Sequence, residues 1–194
     1  MLIAFNKPFG VICKFRPEPG RGTLADYISV ANVYPAGRLD TDSEGLLLLT
    51  DYGALQARIA NPQHELAKVY WAQVEGAPSE AALTQLRNGV DLGDFMTKPI
   101  GARLIGEPSN LWSRDPPIRY RAKIPTAWLE LTLREGKNRQ VRRMTARVGL
   151  PTLRLVRVSI GQVSVHDLAP AAWREIDAAA PWPTPLRSSG HTHP

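Results

Sequence analysis

Hydrophobic positions along the chain follow strand spacing in several segments. Residues 127–134 alternate, because single polar residues separate Leu129, Leu131 and Leu133. A spacing of two places these leucines on one face of a strand. The four consecutive leucines at 46–49 are too few for a helix and predict a buried strand. Further strands are predicted over residues 1–5, 68–75 and 153–160.

Capping and helix-breaking residues predict three or four helices between these strands. Ser79 is a good N-cap for a helix that ends at residue 88, before Gly89. Asn138 is expected to cap a helix that ends at residue 148. The other two helices are expected at residues 24–30 and from Thr50 or Asp51 to about residue 60. The Pro-interrupted segment 106–126 is predicted to be a loop, and the whole pattern predicts an α+β fold with several antiparallel strands.

Composition adds a charge preference to this picture. Lys and Arg outnumber Asp and Glu by 24 to 18, which gives a net charge of +6. This balance fits a polyanionic partner such as nucleic acid, although many basic proteins bind none. The length of 194 residues suits one compact domain with room for two subdomains.

Several classes of protein are disfavoured by the sequence. Cys13 is the only cysteine, so we expect neither a disulfide framework nor a cysteine-based metal site. Residues 1–10 lack the apolar run of a signal peptide, and no run of 18 apolar residues is present, so we expect a cytoplasmic protein without a membrane span. Residues 181–194 are expected to be a disordered tail, in which His191 and His193 make a poor metal site.

An acidic segment stands directly before the four leucines. Its pattern, D-x-D-x-E-G at residues 40–45, resembles a calcium-binding loop. Calcium is disfavoured because LLLLT follows where more oxygen ligands are needed, and because Asp51 stands where such loops carry a bidentate glutamate. For Asp42 and Glu44 a turn before the strand is the favoured interpretation. Asp40 differs, because a carboxylate that leads into a buried strand can lie in a cleft, where it needs a cationic partner.

A basic segment over residues 134–147 supplies candidate partners. At about 100° per residue, Val141, Met144 and Val148 form an apolar stripe on the predicted helix. Arg142 lies on the flank of this stripe and can turn inward to bind a carboxylate, although periodicity alone does not pair it with Asp40. Three arginines lie opposite the stripe and are expected to face solvent or RNA phosphates: Arg139, Arg143 and Arg147.

The predicted loop over residues 106–126 also mixes aromatic and basic side chains. Arg114 and Arg119 stand close to Trp112 and Tyr120. An RNA-contacting loop and a solvated surface loop are about equally favoured by this composition.

Three sequence blocks together resemble the RsuA-type branch of the pseudouridine synthases. They are GRLD with GLLLLT within residues 37–50, KVY at 68–70 and NRQVRRM at 138–144. The resemblance extends from residue 1 to about residue 177. It implies a mixed, largely antiparallel β-sheet flanked by helices, with a catalytic cleft between two halves. Residues 1–180 would form the catalytic domain, with subdomains of roughly 1–62 and 63–180, and without the S4 RNA-binding domain of many relatives.

The resemblance also implies an activity and residue roles. The activity is isomerisation of a uridine to pseudouridine in large-subunit ribosomal RNA, with no metal and no organic cofactor, and we expect a monomer. The catalytic aspartate maps onto Asp40, the active-site tyrosine onto Tyr70 and the basic partner onto Arg142. Lys68 and Arg38 are expected to bind RNA, and Arg38 could fill the space that a flipped base leaves. A non-catalytic RNA-binding or ribosome-assembly factor on the same scaffold is the alternative, which the presence of Asp40 disfavours.

Overall fold

The computed structural model describes residues 1–119, 121 and 123–178. Within these residues the chain forms nine strands and three α-helices. In chain order they are β1 (Leu2–Lys7), β2 (Tyr34–Pro35), β3 (Glu44–Thr50), α1 (Gly53–Ala60), β4 (Lys68–Glu75), α2 (Glu80–Asn88), β5 (Gly101–Ile105), β6 (Thr126–Leu133), α3 (Gln140–Arg147), β7 (Thr152–Ile160), β8 (Val163–Ser164) and β9 (Trp173–Ile176). The tail predicted at 181–194 and the aromatic Tyr120 lie outside the described residues. In the described part of the chain, every helix is too short or too polar to cross a bilayer.

All of these strands belong to one sheet in the order β5-β6-β4-β7-β3-β1-β9, with β2 beside β3 and β8 beside β7. Every pairing is antiparallel except that of β3 with β7. The parallel contact joins only Glu44 to Val156 and Gly45 to Arg157. The predicted mixed, largely antiparallel sheet is therefore confirmed, and this short contact joins its two halves.

Gly45 allows the two halves to approach each other closely. Its φ is +99°, which favours glycine, and a Cβ atom there would lie 2.3 Å from the carbonyl oxygen of Arg157. No other residue fits this crossing without moving β3 away from β7. The glycine that ends the acidic segment is thus explained by sheet geometry.

The leucine run of β3 is buried on both faces of the sheet. Leu47 and Leu49 pack in a core that includes residues of α2 and α3, whereas Leu46 and Leu48 pack with residues of α1. Because helices cover both faces, successive leucines all find an apolar partner, and the alternation of a half-exposed strand is absent. The predicted buried strand is confirmed.

The three α-helices lie at predicted positions, but only one of them has the predicted N-cap residue. Ser79 caps α2 as predicted, and its hydroxyl accepts a hydrogen bond of 3.2 Å from the Ala82 amide. The predicted cap residue Asp51 instead binds the N-terminal amine at 2.7 Å, and α1 begins after Tyr52. Asn138 does not cap α3. The residue before this helix is Arg139, whose backbone is in the left-handed conformation with a φ of 49°.

Other differences concern short elements. Residues predicted as a helix at 24–30 form only a short 3-10 turn, Leu24–Asp26. The sequence pattern missed four strands: the two-residue strands β2 and β8, and the two outer strands of the sheet, β5 and β9. An edge strand has a neighbour on one side only, so its side chains are less strictly patterned than those of a central strand.

Candidate active site

A cavity of about 580 Å³ opens between the segment before β3, the strands β4 and β7, and the segment that leads into α3. Five of the residues singled out from the sequence line it: Arg38, Asp40, Lys68, Tyr70 and Arg139. A neighbouring cavity of about 800 Å³ shares the segment 37–40 and Arg139 with it. The segment that carries Asp40 therefore forms the wall between two cavities.

Asp40 lies on a turn that is anchored by a buried neighbour and leads into β3. Leu39 is buried, and Gly37 has a φ of +92° that turns the chain toward β3. The carbonyl oxygen of Asp40 accepts a hydrogen bond of 3.0 Å from the Ser43 amide. The Asp40 side chain is 34% exposed, so its carboxylate can be reached from the cavity.

The structure corrects the expected partner of Asp40. Arg142 does turn inward, with only 13% of its side chain exposed, but it binds Asp42. Its Nη2 donates to the carbonyl oxygen of Asp42 at 2.6 Å, and its Nε lies 3.4 Å from the Asp42 carboxylate. Among the described residues, the cation nearest to the Asp40 carboxylate is Arg139, at 3.9 Å. The expected pairing fails because the Asp42 carboxylate lies within reach of both arginines.

Asp42 is paired with two arginines. Arg139 donates to both of its carboxylate oxygens, at 3.0 and 2.8 Å. Partial burial of Asp42 is the largest single influence and favours the neutral acid, but the hydrogen bonds from Arg139 and the charges of Arg142 and Arg139 outweigh it. The pKa of Asp42 is therefore lowered, and the group is anionic at neutral pH.

Glu44 forms the second ion pair of the acidic segment. Its two carboxylate oxygens accept hydrogen bonds of 2.9 and 2.8 Å from Arg154, and Trp112 donates to one of them at 2.9 Å. Glu44 lies inside β3 and is 2% exposed, so it is part of the strand and not of the preceding turn. All three acids that suggested a calcium loop thus lie within ion-pair distance of an arginine, with Asp40 the most distant at 3.9 Å.

Tyr70 and Lys68 enter the cavity from β4. They are two residues apart, which places both side chains on the same face of the strand. Tyr70 is 9% exposed. Burial lowers the pKa of Lys68 from 10.5 to about 8, and the charge of Arg157 contributes in the same direction.

Arg157 is a cavity residue that the sequence reasoning missed. It lies in β7 and is 4% exposed. Its Nε donates to the Leu46 carbonyl at 2.8 Å, and its Nη1 donates to the Arg38 carbonyl at 3.2 Å. The available signal was an arginine in the middle of a strand whose neighbours are apolar, because such a charge is seldom buried without a role.

Comparison with known proteins identifies the family. A family model described as RNA pseudouridylate synthase matches residues 1–147. The chain belongs to this family. The resemblance drawn from the three sequence blocks is thereby confirmed.

Members of the pseudouridylate synthase family are similar to the chain over most of its length. It is 55% identical over 175 residues to "Ribosomal large subunit pseudouridine synthase E" of Vibrio vulnificus, which covers 90% of this chain and 74% of that protein. A protein of the same name from Xanthomonas campestris is 53% identical over 182 residues, with 93% and 97% covered. A solved structure described as "Crystal structure of pseudouridylate synthase" has a TM-score of 0.73 at 27% identity, over 91% of this chain and 70% of that chain.

In this pseudouridylate synthase family member, the other basic residues singled out from the sequence lie away from the first cavity. Arg143 is bound to the Asp94 carboxylate and donates to the Leu92 carbonyl at 3.1 Å, so it holds α3 to the loop before β5. Arg147 is exposed at the end of α3. The Arg143 side chain is 36% exposed, so it lies at the surface as its neighbours do, but its guanidinium is paired with a loop that is remote in sequence.

The loop before β6 places its two arginines differently. The Arg114 guanidinium stacks on the ring of Phe9, with 4.1 Å to the ring centre, and donates to the Pro116 carbonyl at 2.8 Å. Arg119 is exposed and lines a third cavity with Arg121 and Lys123. Arg114 thus anchors the loop, and Arg119 belongs to a basic surface.

Proposed function

We propose that this protein isomerises a uridine of large-subunit ribosomal RNA to pseudouridine, with Asp40 as its catalytic carboxylate. One observation carries the proposal: Asp40 and Tyr70 come from opposite sides of the β3–β7 contact and line the same cavity. Membership of the pseudouridylate synthase family supports the type of reaction. The names of the Vibrio and Xanthomonas relatives support the substrate.

The reaction breaks the N1–C1′ glycosidic bond, turns the base and joins C5 to C1′. An ionised carboxylate suits this chemistry, because it can attack C1′ as in a retaining glycosidase, attack C6 of the base or remove a proton from the sugar. Asp40 is reachable from the cavity, and an Nη1 atom of Arg139 lies 3.9 Å from its carboxylate. The Tyr70 ring would stack on the base, and its hydroxyl would assist loss of the C5 proton.

A uridine in folded RNA must leave its stack before it can enter such a cavity. Arg38 is exposed and stands two residues before Asp40 on the cavity rim. We infer that its side chain occupies the vacated space or binds a phosphate. Lys68, on the cavity wall, would contact the nucleotide after it has entered.

Exposed basic residues outside the cavity would bind the RNA backbone. Arg147 on α3 and Arg119 on the loop before β6 are the best placed of the predicted contacts, because both are exposed. Arg143 and Arg114 would act mainly by holding the elements that carry these contacts.

Tritium release from large-subunit rRNA transcripts labelled at C5 of uridine tests the proposal. Wild-type protein should release tritium, and EDTA should not change the rate. Asp40→Asn should release none while retaining RNA affinity in a filter-binding assay. Residual activity within about tenfold of wild type, a barrier change of about 1.4 kcal/mol, would contradict the assignment of Asp40. RNA binding by wild-type protein without any release would instead support a non-catalytic assembly factor.

A further inference from the structure

Arg157 stands at the centre of the sheet, at the crossing of its two halves. It pairs with Gly45 of β3 on one side and with Tyr70 of β4 on the other. Its side chain is buried and lines the cavity together with Asp40 and Lys68. Arg157 therefore links the strand that carries Tyr70 to the strand that follows the Asp40 turn.

The contacts of Arg157 are unusual for a buried arginine. In the described part of the chain no carboxylate lies within ion-pair distance of it, and its Nη2 has no hydrogen-bond partner. Its two hydrogen bonds go to backbone carbonyls, those of Arg38 and Leu46. Burying a charge without a counter-ion and leaving a donor unused both oppose folding. Global stability alone is therefore a poor explanation for an arginine here.

The two carbonyls that Arg157 binds belong to the two ends of one segment. Arg38 begins the turn that carries Asp40, and Leu46 lies in β3 after that turn. One planar guanidinium thus binds both ends of the segment 38–46, and Asp40 lies between these ends. A lysine has no fork with which to bind two carbonyls in fixed directions.

We propose that Arg157 is a positioning residue, which holds the turn that carries Asp40 in the place that the reaction requires. It acts through Arg38 and Leu46 and need not contact the base. The inference rests on the proposed function, because the benefit of a fixed carboxylate is catalytic. Displacement of a reacting group by about 1 Å can reduce a rate by about 10²-fold.

Two variants test the role, Arg157→Lys and Arg157→Gln, with Arg87→Lys as a control. Arg87 also binds a backbone carbonyl, that of Ala102 at 2.9 Å, but lies on α2. Single-turnover tritium release at saturating RNA should fall about 10²-fold in both Arg157 variants, while the Kd for RNA changes less than about twofold. The lysine variant should recover only a small part of the rate. Arg87→Lys should behave like wild type.

Hydrogen exchange measured without RNA separates this role from the activity itself. Peptides that cover residues 36–43 should exchange faster in both Arg157 variants than in wild type, with the β6 peptides unchanged. Unchanged exchange at 36–43, or a full rate with lysine, would overturn the proposal. Failure of both variants to fold would also overturn it, because Arg157 would then serve the whole sheet. A wild-type protein that releases no tritium would overturn the proposed function, whatever the exchange shows.

Discussion

Arg142 and Arg143 are adjacent on α3, and the structure predicts opposite consequences of replacing them by alanine. Arg142 is largely buried and donates to two backbone carbonyls, those of Asp42 at 2.6 Å and Thr152 at 3.2 Å. Arg143 forms an ion pair with Asp94 at the surface. If both arginines were simply solvated on a basic helix, the two alanine substitutions would have the same effect.

The expected loss for Arg142→Ala follows from its hydrogen bonds. Each bond from a charged donor contributes about 1.5–3 kcal/mol to stability, and the bond to Thr152 is the longer of the two. Asp42 keeps its two bonds to Arg139, so it is not left unpaired. We therefore expect the free energy of unfolding to fall by about 3 kcal/mol. Arg143→Ala should change it little, because exposed ion pairs contribute little.

Urea unfolding and single-turnover kinetics measure the two effects. Loss of Arg142 frees the Asp42 backbone, two residues after Asp40, so kcat should fall by at least about tenfold, which is about 1.4 kcal/mol in the barrier. Arg143→Ala should mainly raise KM. Equal losses of stability and of kcat in the two variants would refute the assignment of Arg142 to the support of the catalytic turn.

Three further predictions concern the cavity and the RNA surface. Tyr70→Phe should keep RNA affinity but slow product formation, and an unchanged rate at saturating RNA would leave only the ring with a role. The pKa of Lys68 is lowered from 10.5 to about 8, so burial of its charge opposes folding below about pH 8 and this cost disappears as the pH rises toward 10.5. The unfolding free energy, measured by urea titration, should accordingly rise between pH 8 and 10.5, and this rise should be smaller in Lys68→Met. The same rise with pH in both proteins would show that the lysine is not desolvated. RNA affinity should depend steeply on salt, and replacing Arg119 and Arg147 by alanine should reduce the log–log slope by about 0.7–0.9 for each phosphate that is no longer neutralised, whereas Arg87→Ala should leave it unchanged.

Local patterns were sufficient for the elements that carry the site. The alternation of Leu129, Leu131 and Leu133 predicted β6, because its inward-facing leucines are buried and the residues between them are partly exposed. The leucine run predicted β3, because that strand is buried along its whole length. Ser79 predicted the start of α2 because a cap acts within one turn of its own helix. The resemblance of the blocks GRLD, KVY and NRQVRRM to known sequences indicated the family, which the match over residues 1–147 confirms.

The arrangement around Asp40 was decided by contacts between distant parts of the chain. Arg139 and Asp42 are 97 residues apart, and Arg157 and the Arg38 carbonyl are 119 residues apart. Helical periodicity showed that Arg142 turns inward, but which carboxylate it meets depends on how α3 docks against the turn before β3. The short parallel contact of β3 with β7 brings Arg157 under that turn, and it requires Gly45 for backbone clearance. The sequence alone therefore determined which chemical groups are available, whereas tertiary packing determined their partners, because a charge in a cavity binds what the fold places within a few ångströms of it.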